Sequence, residues 1–107
     1  MDEKRLLEAL ASSPELEPFR KLVMPLVEYD RERGSGLIRT LSVYFEAGAN
    51  ASEAADRLFL HRNSLLYRLE RIQTLTGLDL RKPEPMLTLQ LGLLALKRGA
   101  KDETKHP

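Results

Sequence analysis

The sequence predicts an all-α fold, a small helical bundle. Apolar residues recur at spacings of three and four along most of the chain, which is the helical period, and strand-like alternation is absent. Glycine and proline stand between these segments, where helices end or begin. The 107 residues correspond to one domain, and a hydrophobic share of 42% is enough for a packed core.

The composition excludes several classes of protein. A net charge of +1 with 31% charged residues excludes a polycationic tail and a strongly acidic disordered chain. A local basic patch remains allowed, because net charge averages over all faces. The chain has no cysteine, so disulfide frameworks and thiolate metal sites are excluded.

Neither a membrane span nor a secretory signal is indicated by the sequence. No apolar run approaches the roughly 18 residues of a membrane span. The N-terminal sequence MDEKRLLEALASS is too charged for the apolar region of a signal peptide. We therefore expect a cytoplasmic protein, and no residue pattern calls for a cofactor.

Two helices are predicted at the N-terminus. The first runs from about residue 2 to 11 and places three leucines on one face, namely Leu6, Leu7 and Leu10. Ser13 is the expected N-cap of the second helix, with Pro14 in its first turn. This helix continues to about Arg31, and Pro25 inside it is expected to kink or interrupt it.

Two further helices are predicted in the middle of the chain. One spans about residues 35–47, and Gly48 follows as its C-terminal stop. Asn50 then opens the next helix as an N-cap, with a capping-box-like return expected from Glu53. This helix is short and ends near Leu58.

The C-terminal half is predicted to hold two longer helices. One runs from about residue 62 to 76, with Gly77 beyond its end, and the last runs from about 84 to 98. The last helix is apolar around most of its circumference, so it either covers the core, which we favour, or forms a dimer surface. The expected division of the chain is residues 1–33 as N-terminal helices, 34–98 as the functional domain and 99–107 as a frayed tail.

The helices predicted at 50–58 and 62–76 form a candidate helix-turn-helix, since only three residues separate them. Two helices that cross steeply need a small residue where they touch, and Ala55 supplies it. The second helix must bury one stripe against the first. Leu65, Leu69 and Ile72 are spaced four and three apart and form that stripe.

The opposite face of the second helix is polar, and most of its hydrogen-bonding residues lie near the helix start. At about 100° per residue, the outward residues are Asn63, Tyr67, Glu70 and Arg71, with Arg62 and Ser64 flanking the start. Arginine can bridge O6 and N7 of guanine, and asparagine can bridge N6 and N7 of adenine. Serine and tyrosine can donate to phosphates, and Arg68, at the edge of the face, suits a phosphate contact. The alternatives are an ordinary solvated face and a Tyr67 packed against a neighbouring helix.

The segment from Leu37 to about Leu96 resembles the C-terminal helix-turn-helix domain of the PucR/CdaR family of purine-catabolism and sugar-diacid regulators. The resemblance is carried by the runs LIRTLSVYFEAGAN, ADRLFLHRNSLLYRLERI and TGLDL, and the upstream run PLVEYD also fits. The helix-turn-helix is also similar to that of the Fis family. The resemblance implies sequence-specific binding of double-stranded DNA through contacts from His61, Arg62, Asn63, Ser64, Tyr67, Arg68 and Arg71.

The resemblance also implies a bacterial transcriptional regulator, often an activator, with a sensory region N-terminal to this domain. The chain would then be a fragment of a longer regulator, and any effector would bind a region absent from it. A homodimer is expected, because paired recognition helices can meet successive major grooves.

Two residues depart from the family pattern. Ser64 stands where threonine is commoner, which keeps the hydroxyl group. Leu66 stands where arginine is frequent, so one cation is missing beside the recognition helix. This change either weakens phosphate binding or provides a contact to a thymine methyl group.

Other functions fit the sequence less well than DNA binding. A helical interaction or dimerisation module would use the last helix and the segment 22–27, with an incidental basic face. An enzyme is not supported, because no paired acids, activated nucleophile or ligand set is evident. His61 lacks metal-binding partners, since the only other histidine is His106. RNA binding is disfavoured because the aromatic stacking platform of such modules is missing.

Overall fold

The computed structural model describes the backbone of residues 2–105 and the side chains of residues 2–97. The elements are α1 (Glu3–Ala11), a short 3-10 turn (Pro14–Leu16), α2 (Glu17–Arg33), α3 (Leu37–Glu46), α4 (Ala51–Leu58), α5 (Arg62–Thr76) and α6 (Pro83–Lys105). No strand occurs within this range. The all-α prediction is therefore confirmed, and each predicted helix is present, within a few residues of its expected bounds except at the end of α6.

One hydrophobic core joins α2 to α6. Its buried members are Val23, Leu26, Leu37, Leu41, Ala47, Ala54, Ala55, Leu65, Leu69, Ile72, Leu80, Leu89 and Leu93. Helix α2 falls within the predicted N-terminal segment 1–33, yet it packs into the same core as the helix-turn-helix. The division of the chain into three segments remains a prediction.

The N-terminal helix α1 lies outside this core. Asp2 caps it, since its carboxylate accepts a hydrogen bond from the amide of Arg5 at 2.8 Å. The predicted leucine face of α1 remains largely exposed, at Leu6, Leu7 and Leu10. Ser13 caps the following turn by accepting from the amide of Glu15, as predicted, but this first turn is a 3-10 turn.

Helix α2 passes through Pro25 without interruption, so the predicted interruption is wrong, and the alternative of a kink stays a prediction. A proline inside a helix removes one backbone hydrogen bond and crowds the preceding turn. The residues on either side, Val23 and Leu26, are completely buried in the core. Their burial offsets the lost hydrogen bond and keeps the helix continuous.

Helix α6 packs along α2 and approaches it closely at Gly92. A Cβ atom built on Gly92 would lie 2.7 Å from Cγ1 of Val23 and 2.8 Å from the carbonyl oxygen of Phe19. Glycine is therefore required for this crossing. The helix continues to Lys105, so its end was predicted too early, and residues 106–107 lie outside the described part. The predicted fraying of residues 99–107 stays a prediction.

None of the helices in the described part of the chain is long and apolar enough to cross a membrane.

Candidate nucleic-acid interface

The start of the helix-turn-helix is defined by two local signals. Gly48 has a φ of 67° and ends α3, and the amide that follows it donates to the carbonyl of Tyr44 at 2.9 Å. Asn50 caps α4 by accepting from the amide of Glu53 at 3.0 Å. The predicted return from Glu53 to the cap is wrong, because its carboxylate pairs with Arg57 one turn later, at 2.7 Å.

A left-handed residue makes the sharp turn between α4 and α5. Phe59 has a φ of 56°, an uncommon conformation for a residue with a bulky side chain, and its side chain is 95% exposed. The amide of Leu60 reaches back to the carbonyl of Ala55 at 2.9 Å, which satisfies the end of α4. The three-residue turn is confirmed, and Ala55 is buried as predicted.

Helix α5 has the bounds and the inward stripe that the sequence predicts. It spans Arg62–Thr76, and Gly77 at its end has a φ of 74°. Leu65 and Ile72 are completely buried, and Leu69 is 8% exposed. This stripe joins the same core cluster as the alanines of α4, so the orientation of α5 is determined by packing.

The opposite side of α5 is open to solvent. The exposed residues at or near its start are His61, Arg62, Asn63, Ser64, Leu66, Tyr67 and Glu70. Tyr67 is 59% exposed, so the alternative in which it packs against a neighbouring helix is not observed. His61 occupies the N-cap position, but its side chain makes no capping hydrogen bond. A polar surface is therefore presented at the start of the helix.

Arg68 points partly into the protein, which revises its predicted place at the edge of the polar face. Its Nη1 donates to the hydroxyl of Thr40 at 3.1 Å. Thr40 is completely buried and itself donates to the carbonyl of Gly36 at 2.7 Å. Arg68 thus connects α5 to the beginning of α3, and one of its nitrogens is engaged inside the domain.

Arg71 and Arg33 are held by aromatic rings. Nη2 of Arg71 donates to the hydroxyl of Tyr67 at 2.8 Å, and this hydrogen bond raises the pKa of the Arg71 guanidinium above its ordinary value. The Arg71 guanidinium carbon lies 5.9 Å from the ring centroid of Tyr29, and that of Arg33 lies 4.9 Å from the same centroid. Tyr29 and Arg33 lie on α2, and local sequence patterns did not indicate that they approach α5.

A groove of about 510 Å³ lies beside the start of α5. Its lining residues are Tyr29, Ser35, Leu37, Leu60, Asn63, Ser64, Tyr67, Arg68 and Arg71. The lining contains two guanidinium groups, several hydroxyl groups and one amide, but no carboxylate. The groove is therefore positively charged and rich in hydrogen-bond donors, and it suits an anionic ligand.

Asp30 holds the junction between α2 and α3 in place. Its carboxylate accepts from the amides of Leu37 at 2.7 Å and Ile38 at 2.9 Å, and it also accepts from the hydroxyl of Ser35. Asp30 thereby satisfies the first amides of α3, where Gly36 offers no capping side chain. Sequence reasoning missed this cap, because the residue lies in the preceding helix and not at the usual N-cap position.

Among the side chains that the structure describes, no group of three or more histidines, cysteines, aspartates and glutamates is placed to hold a metal ion.

Comparisons with known proteins identify the region that contains this interface. The family of PucR C-terminal helix-turn-helix domains matches residues 37–95. The purine catabolism regulatory protein of Bacillus subtilis (strain 168) is 37% identical over 79 residues, which is 74% of this chain and 15% of that protein. The proline-responsive transcriptional activator PutR of the same organism is 33% identical over 95 residues, 88% of this chain and 23% of that protein.

A third relative is the carbohydrate diacid regulator of Escherichia coli (strain K12). It is 39% identical over 74 residues, which cover 68% of this chain and 19% of that protein. The chain therefore spans less than a quarter of the length of each of these three relatives. No solved structure matches the chain.

Proposed function

The chain belongs to the family of PucR C-terminal helix-turn-helix domains, and on that premise we propose that it binds double-stranded DNA in a sequence-specific manner. It serves as the output domain of a bacterial transcriptional regulator. The observation that carries the proposal is the two-sided character of α5. Its apolar stripe is buried in the core, and its polar start is exposed.

In this proposal the first half of α5 enters the major groove. A major groove about 12 Å wide admits one helix, and the N-terminal residues of a recognition helix reach the base edges. Arg62 and Asn63 read bases, because both are exposed and their side chains can form paired hydrogen bonds with guanine and adenine. His61, Ser64 and Tyr67 contact phosphates or neighbouring bases.

Arg68 and Arg71 contribute in different ways. Arg68 positions α5 through its hydrogen bond to Thr40 and uses its remaining donors at the groove. Arg71, held by Tyr67 and Tyr29, carries its charge to the DNA backbone. Both roles rest on the placement of these two side chains in the groove lining.

The finer features of the regulator are part of the same proposal. We propose that two copies act as a dimer in the cytoplasm, so that their recognition helices meet half-sites one helical turn apart. An effector is bound by a region outside this chain. Activation of transcription is proposed from the likeness to the proline-responsive activator and to the DNA-binding transcriptional activator AdeR of Bacillus subtilis.

The test is selection of bound duplexes from a random DNA pool by the 107-residue chain, followed by sequencing. Enrichment of a motif is expected. The Asn63→Ala variant should then lose discrimination at one defined position, by about 1–3 kcal/mol, with unchanged affinity for random duplexes. Thr74→Ala is the matched control, since Thr74 is exposed on the distal half of α5 and should leave the motif intact.

Two results would contradict this proposal in different ways. If Asn63→Ala lost equal affinity for selected and random duplexes, the proposed base contact of Asn63 would be contradicted. Absence of any salt-sensitive retention of DNA would contradict DNA binding itself. The latter result would favour a helical interaction or dimerisation module in which α6 supplies the contact surface.

A further inference from the structure

Two arginines lie over one tyrosine ring at the junction of α2 and α5, and a third arginine lies nearby. Arg33 and Arg71 lie over the ring of Tyr29, and Arg68 lines the same groove. Among the side chains that the structure describes, none of these arginines has a carboxylate oxygen within 4.0 Å. Other arginines are paired, as in Arg20–Glu17, Arg57–Glu53 and Arg81–Asp79.

The contacts of these guanidinium groups leave their positive charge available to an anionic ligand. An aromatic ring attracts a guanidinium through its quadrupole but carries no net charge that could neutralise it. The carboxylate of Asp30, which lies at the same junction, is directed to the amides of α3. None of these guanidiniums is thus engaged in an ion pair among the described side chains, and an anion placed beside the groove would be attracted by several cations.

This cluster lies beside the proposed recognition helix, where a DNA duplex would present its sugar-phosphate backbone. The groove continues from Tyr29 and Ser35 to Asn63 and Ser64 at the exposed start of α5. When a helix lies in the major groove, the elements beside it face the sugar-phosphate backbone, and their contacts determine register more than sequence preference. A cation on the end of α2 is suitably placed for such a contact.

We propose that Tyr29 and Arg33, at the C-terminal end of α2, hold a DNA backbone phosphate together with Arg71. The inference rests on the proposed DNA binding and extends the interface to a helix outside the matched family region, which begins at residue 37. The guanidinium carbons of Arg33 and Arg71 lie 4.9 and 5.9 Å from the centroid of the Tyr29 ring, and Asp30 holds this end of α2 against α3. The α2–α3 junction thus sets the register of α5 on the duplex.

The first experiment compares the salt dependence of DNA affinity in Arg33→Gln and Arg31→Gln. Both arginines are exposed in the last turn of α2, but Arg33 lies over the Tyr29 ring, and no such contact is found for Arg31 among the described side chains. Loss of one phosphate contact lowers the logarithmic salt slope by about 0.9. The affinity ratio of wild type to Arg33→Gln should therefore shrink by about 3.5-fold between 50 and 200 mM salt, and Arg31→Gln should show a smaller change.

A second experiment localises the contact. Single methylphosphonates, which are neutral, replace each phosphate of the selected duplex in turn. The wild-type chain should lose affinity at one phosphate flanking the major-groove site, and Arg33→Gln should be insensitive to substitution there. Arg31→Gln should retain the wild-type sensitivity. Tyr29→Leu, which removes the ring but no charge, should weaken the same sensitivity.

The outcomes separate this inference from the proposed function. If the wild type selects a motif but Arg33→Gln and Arg31→Gln share the same slope and the same methylphosphonate profile, the α2 contact is refuted and DNA binding stands. If inorganic phosphate competes with duplex far better than chloride at equal ionic strength, and only when Arg33 is present, the occupant is a free phosphate group and the DNA assignment is overturned. Absence of duplex binding by the wild type overturns both.

Discussion

Replacement of Gly92 by alanine is predicted to destabilise the domain, although helix propensity alone predicts the opposite. Alanine is favoured over glycine in a helix interior by about 1 kcal/mol. The new methyl group, however, would lie 2.7 Å from a methyl carbon of Val23 and 2.8 Å from the carbonyl oxygen of Phe19. Carbon atoms in favourable contact are separated by about 3.5–4.0 Å.

The neighbours of Gly92 have little room to adjust. Val23 is completely buried, and the Phe19 oxygen belongs to the backbone of α2, so relief requires the two helices to separate. Overpacking of this kind costs about 1–3 kcal/mol. We expect an overpacking cost in the upper part of this range, and the higher helix propensity of alanine offsets part of it. The net loss of unfolding free energy is then about 1–2 kcal/mol, or roughly 4–8 °C in Tm for a domain of this size.

The assay is thermal and urea unfolding of Gly92→Ala beside wild type and Gln90→Ala. Gln90 is exposed on the same helix, so its replacement should change stability by no more than about 0.5 kcal/mol. Gly92→Ser should be at least as destabilising as the alanine variant. An unchanged or raised Tm for Gly92→Ala would refute the close approach of α6 to α2.

The remaining predictions concern the helix-turn-helix and its supports. Leu69→Ala should lower the free energy of unfolding by about 2–5 kcal/mol, because it leaves a cavity in the core; an unchanged melting curve would show that the inward stripe is misassigned. Asn50→Ala should cost about 1 kcal/mol, since the amide of Glu53 loses its acceptor, and Asn50→Asp should restore most of the stability. Arg68→Met should cost about 1 kcal/mol by removing the hydrogen bond to Thr40, and it should weaken binding to selected and random duplexes alike. If Arg68→Met changed base preference without a change in stability, Arg68 would be a base-reading residue.

Most features of the helix-turn-helix could be predicted from local sequence signals. The N-cap at Asn50, the stop at Gly48 and the bounds of α5 follow from residue types and spacings, and the structure confirms each of them. The buried stripe of α5 also follows, because a period of 3.6 determines which residues share a face. Whether the exposed residues contact DNA is a prediction that the structure does not test.

Errors arose where packing or an ion pair competes with a local rule. Pro25 was expected to kink or interrupt α2, but the helix is uninterrupted there, since the burial of Val23 and Leu26 against other helices outweighs the lost hydrogen bond. Glu53 was expected to return to its cap, but Arg57 offers a full charge one turn away. Local propensity is a weak guide wherever packing or an ion pair supplies a comparable energy.

The helical class, the order of the elements and the two faces of α5 could be predicted from the sequence, because these features depend on periodicity and on residues close together in the chain. The neighbours of that face could not be predicted, because they depend on the tertiary structure. It brought Tyr29 and Arg33 to Arg71, directed Arg68 to the buried Thr40 and required a glycine at position 92. Each of these contacts joins residues from different helices, and such distances are set by how whole helices pack and not by any local pattern.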